Sequence, residues 1–303
     1  MAANLIGRYL WEINVIGKAG RRGLTLAELN EKWEDCLFYD NKPIVRKTWF
    51  EHRRQIGIQF HVDIECDKHT NRYYVSFDDK LGQPELQEWL LNSFSVGNVL
   101  LQGQDLKGRI LCEQIPSGYE YLTEIIQAMR ENKIIRVTYQ SFWKREPATF
   151  ELMPYAVRVF KQRWYLIGGN VAFENKDIRI YALDRILDLK VTGHKFKLPR
   201  GFHADELFDD VYGSTLATGD KVEHVIINVY NGQEKYFRSL KIHHSQNELS
   251  SENGCTVFEY YLKPTYEFIQ ELLSHGPDVE VIQPERLRKT MKQWIKQMND
   301  LYK

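Results

Sequence analysis

The sequence predicts an α+β protein made of four successive parts, and three observations carry that expectation. Apolar residues recur at helical spacing in three segments before residue 57, and two short alternating runs joined by a polar turn follow them. Residues 133–192 then switch to the period of two that marks strands, and residues 222–285 alternate strand with helix. The predicted domains are 1–80, a three-helix unit ending in a hairpin; 81–132, a helical connector; 133–200, a small β-barrel; and 201–303, a compact α+β domain expected to make dimer contacts.

In the first part, Leu5, Ile6, Tyr9, Leu10, Ile13 and Ile16 form one helical stripe that Gly20 and Gly23 end. Thr25-Leu-Ala-Glu28 reads as a capping box opening a second helix that buries Leu26, Leu29 and Trp33. Pro43 suits the first turn of a third helix, with Val45, Trp49, His52 and Ile56 toward the core. Strands near His61–Cys66 and Arg72–Phe77 flank the polar turn Asp67–Asn71. Three helices followed by a hairpin is the winged form of the helix-turn-helix.

Further along, Pro84 opens a helix with Leu86, Trp89, Leu90 and Phe94 on one face, and a second helix runs from about Gly118 to Asn132. Strands are expected at Ile134–Tyr139, Glu151–Phe160, Arg163–Gly168 and Ile178–Leu183, with Gly168-Gly169 as a hairpin turn. The last part reads as strand Val225–Tyr230, helix Glu234–Leu240, strand Thr256–Leu262, helix Tyr266–Leu273, strand Val279–Ile282 and a helix over 284–301.

Composition narrows the function. The 303 residues carry 41 Lys+Arg and 41 Asp+Glu, so the overall charge is zero, but its distribution is uneven. Residues 1–77 hold 12 basic against 10 acidic side chains, and residues 78–129 hold 3 against 8. Residues 130–200 hold 15 against 7, a formal +8, whereas residues 201–303 hold 11 against 16. The basic middle part predicts an anionic partner. No apolar run approaches the roughly 20 residues needed to cross a bilayer, and the start has no signal-peptide pattern, so a cytoplasmic protein without membrane contact is expected. Cys36, Cys66, Cys112 and Cys255 are scattered, which argues against a zinc site or a disulfide framework.

Two groups of residues suggest chemistry. Five basic residues and one acid, Glu51, lie between Lys42 and Arg54. A helix in the major groove needs cations for phosphates and polar side chains for base edges. Arg46, Lys47, Arg53 and Arg54 fit that need, Phe50 suits a thymine methyl, and His69 and Arg72 near the hairpin tip suit the backbone or minor groove. The second group lies in FELMPYAVRVFKQRWYLIGGNVAFENKDIRIYALDRI, residues 150–186. Alternation places Trp164 and Leu166 on one face and Arg163 and Tyr165 on the other. Arginine forks bind phosphate and tyrosine rings stack on bases, so Tyr139, Ser141, Tyr155, Arg163, Tyr165, Arg179 and Arg185 read as a groove for a single-stranded nucleic acid or nucleotide. His243-His244 reads as structural or as a partner contact rather than a metal site, and no nucleophile elbow or P-loop occurs.

The order and spacing of Tyr139, Pro154-Tyr155, Trp164-Tyr165-Leu166 and Asp184-Arg185-Ile186 resemble the WYL-domain family of transcriptional regulators. RKTWFEHRRQIGIQFHVDIEC (46–66) and SHGPDVEVIQPERLR (274–288) resemble the winged helix and C-terminal extension that accompany it. The resemblance implies an Sm/SH3-like five-stranded barrel with a basic groove, whose nucleic-acid or nucleotide ligand alters DNA binding by the winged helix. Several relatives place a His where Tyr155 stands, so the ligand here can differ. The expected protein is therefore a non-enzymatic, cofactor-free regulator that binds a double-stranded operator as a homodimer. The alternative is an interaction protein that directly modulates a partner nuclease or defence enzyme.

Overall fold

The computed structural model describes residues 5–36, 39–77, 118–173, 177–217 and 220–303, with positions 92, 93, 96 and 109. The helix expected from Pro84 falls outside them. Two compact units result, Met1–Cys112 and Glu113–Lys303.

The first unit contains α1 (Leu5–Lys18), α2 (Leu26–Glu34), α3 (Arg46–Phe60), β1 (Val62–Asp67) and β2 (Arg72–Phe77). The capping box is formed: Thr25 Oγ1 accepts from Glu28 N, and Glu28 Oε2 accepts from Thr25 N. This satisfies two donors that the first helical turn leaves unpaired. The third helix starts later than expected. Pro43 precedes it, and Val45 is its exposed N-cap instead of a core residue. Ile44 takes the core place because Asn30 clamps its backbone, accepting from Ile44 N at 2.6 Å and donating to Ile44 O at 3.1 Å. Trp33, Trp49, Ile16, Ile56 and Val62 close the core, with Leu24 pairing to Tyr73 as a short third strand of the wing.

That core also holds charge. Glu12 of α1 is wholly buried and its Oε1 lies 2.7 Å from His52 Nδ1 of α3, while its other oxygen has no partner among the described residues. Burial pushes the Glu12 carboxyl above the usual carboxylate range, against the opposing pull of His52 and Arg8. A raised folded value means the fold holds the proton more tightly than the unfolded chain does. The stability from this group is therefore present below the ordinary carboxylate value and is lost as pH rises through the raised one. Glu12→Gln removes the titration. The urea midpoint of E12Q relative to the unsubstituted protein is expected to climb as pH rises above about 4. A difference that does not vary with pH would contradict this.

The second unit begins with a 3-10 turn and α4 (Leu122–Glu131), followed by β3 (Lys133–Tyr139), β4 (Ala148–Phe160), β5 (Arg163–Asn170), β6 (Ile178–Ala182) and β7 (Ile186–Lys195). These strands form one antiparallel sheet in the order β6-β5-β4-β3-β7. Its two edge strands are joined by only the 3-10 turn Leu183–Arg185, so the sheet must roll to bring them together, as in a small barrel. α4 packs on the rolled sheet: its Ile125 and Ala128 are buried with Ile135, Val137, Leu152 and Leu166, and Trp164 packs against them. Gly168-Gly169 is not the hairpin turn. Both lie inside β5, and the turn is Lys161-Gln162, each at positive φ. The glycines are needed because a β-carbon at Gly168 would stand 2.4 Å from Met153 O, and one at Gly169 2.5 Å from the Tyr155 hydroxyl.

The C-terminal part runs β8 (Glu223–Tyr230), α5 (Glu234–Ser239), β9 (Asn247–Glu252), β10 (Cys255–Leu262), α6 (Tyr266–Ser274), β11 (Val279–Gln283) and α7 (Glu285–Leu301). Its sheet order, β11-β8-β10-β9, is that of a split β-α-β fold. β9 escaped the sequence reading because every one of its residues is exposed, leaving no apolar alternation to detect. Val225, Ile227, Phe258, Tyr260, Phe268 and Leu272 form the core, and Phe160 from β4 packs against it. No described helix is long and apolar enough to cross a membrane.

Candidate functional site

Two surfaces carry the residues singled out in the sequence, one in each unit. The seven expected DNA contacts, five on α3 and two on the hairpin, separate by their partners. Arg46 and Lys47 are exposed on the first turn and pair with no acid among the described residues. Phe50, 49% exposed, lies next to them, with the Arg46 guanidinium 5.7 Å from its ring centre. Arg54 is held by Glu51 of its own helix at 2.7 Å, and that pairing lowers the Glu51 carboxyl to about 2.

Arg53 is turned inward. It donates through Nε, and more closely through a terminal nitrogen, to Ile64 O, and it lies over Tyr73 at 5.1 Å. Arg72 folds back from the hairpin onto Glu28, at 2.8 and 3.0 Å, and donates to Gly23 O. These two arginines therefore fasten the wing to α3 and to the start of α2. His69 stays exposed at the tip, where Asp67 holds the turn through His69 N and Thr70 Oγ1. A hollow of about 900 Å³ beside this Arg72–Glu28 pair also holds Lys18, Arg22 and Lys32 with Glu31 and Asp35, so it mixes both signs of charge.

In the second unit, Tyr139, Tyr165, Arg179 and Arg185 line one cleft of about 580 Å³. Its far wall comes from the C-terminal part: Ser214, Thr215, Leu216 and Glu267. Arg163 lines an adjoining cleft of about 540 Å³ with Lys161, Tyr165, Tyr212 and Glu271. The period of two in β5 causes this arrangement: Trp164 and Leu166 go inward, so Arg163 and Tyr165 face out.

The cleft is preorganised. The Tyr139 hydroxyl accepts from Ala182 N at 3.3 Å, and burial raises its pKa, so it remains a neutral donor. The Arg185 guanidinium lies 3.7 Å from the Phe142 ring centre, and its buried Nε has no hydrogen-bond partner among the described residues. Arg179 extends over Phe173 at 4.0 Å. Among the described residues the one carboxylate in the wall is already occupied, since Glu267 accepts from Ser214 N, Ser214 Oγ and Thr215 N at 2.8, 2.8 and 2.9 Å. Gly213, at φ +112°, makes this possible, because a β-carbon there would stand 2.1 Å from Glu267 Oε2.

Two expected ligand residues lie elsewhere. Tyr155 is 6% exposed, enclosed by Met153, Phe196 and Phe202, and reaches the cleft only through Ile178, which packs on this cluster and lines the cleft. The reason is a bulge between Pro154 and Ala156, which shifts the alternation of β4. Ser141 lies in the β3–β4 loop, where its hydroxyl accepts from Trp143 N. The wall residues Ser214, Thr215 and Glu267 had no local signal, because a polar turn and a helical acid are unremarkable in sequence. Arg158 was also missed. It stands opposite Tyr165, over Phe208 at 3.7 Å, with a buried nitrogen lacking a partner among the described residues. The His243 and His244 rings lie tilted against each other with centres 4.2 Å apart; His243 Nδ1 bonds to Ser245 Oγ and His244 pairs with Asp209. No group of three or more potential metal ligands occurs among the described residues.

Residues 120–191 match the WYL domain, and residues 221–298 match the WCX domain. The chain thus carries a WYL domain followed by a WCX domain. In this WYL–WCX chain the cleft thus lies where the WYL domain faces the segment leading into the WCX domain and the first helix turn after β10. No curated protein matches the chain. Among solved structures, it is similar to proteasome accessory factor B/C (PafBC) of Arthrobacter aurescens at 20% identity, with a TM-score of 0.34, over 94% of this chain and 46% of that one. It is also similar to a CRISPR Cas-related protein at 14% identity, with a TM-score of 0.37, over 99% of this chain and 84% of that one. The WYL–WCX chain spans less than half the length of PafBC, and at these scores neither likeness bears on the site.

Proposed function

We propose that this protein is a DNA-binding transcriptional regulator whose WYL–WCX cleft binds a nucleotide or a short single-stranded nucleic acid. The observation that carries the reading is the convergence of Arg179 and Arg185 with Tyr139 and Tyr165 on one cleft. Guanidinium groups beside tyrosine rings suit a ligand with both phosphates and flat bases better than a simple carboxylate. The winged helix, with Arg46 and Lys47 exposed on the first turn of α3, supplies the operator-binding end. Two copies acting as a homodimer suit this role, because one recognition helix reads only one half-site. In this reading the protein works by binding, without a reaction of its own. Occupancy of the cleft shifts operator affinity, and by linkage operator binding shifts ligand affinity by the same factor.

The test is calorimetric titration of nucleotides and short single-stranded oligonucleotides into the full chain at low salt. Arg185→Ala or Arg179→Ala is expected to weaken binding by about 1.5–3 kcal/mol, the range of a charge-assisted hydrogen bond. Tyr165→Phe should lose less, since its ring face survives. Binding indifferent to loss of both arginines would remove the cleft as the site.

A further inference from the structure

We infer that Trp143 is a stacking platform for an unpaired base, placed to hold the second or later nucleotide of a strand whose phosphate occupies the arginine cleft. This rests on the reading of that cleft given above.

Trp143 is 96% exposed, and Phe142 beside it is 70% exposed. They sit in the β3–β4 loop, which is a fastened turn. Gln140 N donates to Arg185 O at 3.0 Å. The Gln140 side-chain amide donates to Ser141 O at 2.9 Å and to Lys144 O at 2.7 Å. Trp143 N donates to Ser141 Oγ at 3.2 Å, and Lys144 N to Ser141 O at 3.3 Å. A turn with this many internal bonds presents its side chains in a set direction, so a ligand need not order it on binding.

The loop is tied to the cleft by one residue at both levels. The Arg185 backbone accepts from Gln140, and its guanidinium lies over the Phe142 ring while Arg185 lines the cleft. The sequence Phe142-Trp143-Lys144-Arg145 therefore extends the cleft outward with two aromatic rings and then two cations. Lys144 and Arg145 are exposed and pair with no acid among the described residues. Rings set beside cations suit a single strand, which offers flat base faces beside phosphates. Duplex DNA offers no open base face to an indole, and an acidic peptide would use the cations while leaving both rings in water. Ser141, expected in the groove itself, acts here by fixing the backbone of the platform.

The experiment compares two probes on the full chain: thymidine monophosphate, and a 5′-phosphorylated oligothymidylate of six nucleotides. Trp143→Ala is expected to weaken the oligonucleotide about 5- to 100-fold, as for loss of one stacked base, and to leave the mononucleotide unchanged. Trp143→Phe should recover most of the loss. The same oligonucleotide with an abasic second to sixth position should bind the unsubstituted protein and W143A equally. Equal oligonucleotide affinity for W143A and the unsubstituted protein, with Arg185→Ala still weakening both probes, would overturn the platform and leave the cleft standing. Loss of self-association in W143A at unchanged oligonucleotide affinity would overturn it in favour of a contact between two copies. Failure of both probes to bind the unsubstituted protein would overturn the cleft reading and the platform together.

Discussion

Alanine at both Arg46 and Lys47 is expected to weaken duplex binding by about 100-fold or more, because each removes a charge-assisted contact of about 1.5–3 kcal/mol. These two side chains lie exposed on the first turn of α3 and pair with no acid among the described residues. Their loss should also flatten the salt dependence, by roughly one unit of log–log slope for each phosphate contact removed. Arg54→Ala is the control on the same helix. Its guanidinium is taken up by Glu51 at 2.7 Å, so a small change is expected. Arg53→Ala should behave differently again and lower stability, since Arg53 ties α3 to the wing through Ile64 O. Fluorescence anisotropy at several salt concentrations, on operator fragments selected from random sequence, checks all three variants and gives the number of chains per site. Unchanged affinity and slope for the double variant would remove α3 as the recognition helix.

Trp49→Ala is expected to destabilise the N-terminal unit by about 3–5 kcal/mol, the range for deleting a large buried aromatic ring. Trp49 is fully buried, and its ring meets Tyr73 edge-on at 5.1 Å, so it joins α3 to the wing. A domain has only about 5–15 kcal/mol in all, so this is a large fraction of the unit's stability. Urea denaturation followed by circular dichroism measures the loss. Trp143→Ala, with its ring in solvent, should leave the midpoint where it was. A loss below about 1 kcal/mol for Trp49→Ala would contradict its place in the core.

The two predictions show where sequence reasoning reached and where it stopped. Trp49 was legible because helical period places it with His52 and Ile56. The same period also nominated Val45, and that was wrong: Val45 is the N-cap, and Asn30, fourteen residues upstream of Ile44, decides which neighbour enters the core. Charge nominated Arg46, Lys47, Arg53 and Arg54 alike. Their separation depends on the hairpin carbonyl of Ile64 and on Glu51, and only the first of these is distant in sequence. The Arg54–Glu51 pair was readable in principle from its spacing of three residues.

What the sequence determined by itself were the relations set by local geometry. These are the capping box at Thr25–Glu28, the hairpin turning at Asp67–Asn71, and the opposed faces of Arg163/Tyr165 and Trp164/Leu166. Each depends on backbone periodicity or on hydrogen bonds spanning a few residues. The tertiary structure decided the rest. The bulge at Pro154–Ala156 placed Tyr155 in a closed aromatic cluster instead of the groove, because one irregular residue reverses the alternation beyond it. The cleft acquired its second wall from Ser214, Thr215 and Glu267, at least 29 positions beyond Arg185 in the chain. Those residues become a site only when the WCX core seats α6 against the rolled sheet. Burial of Phe160 with Tyr212 and Phe268 drives that packing, and it is non-local and additive over many contacts.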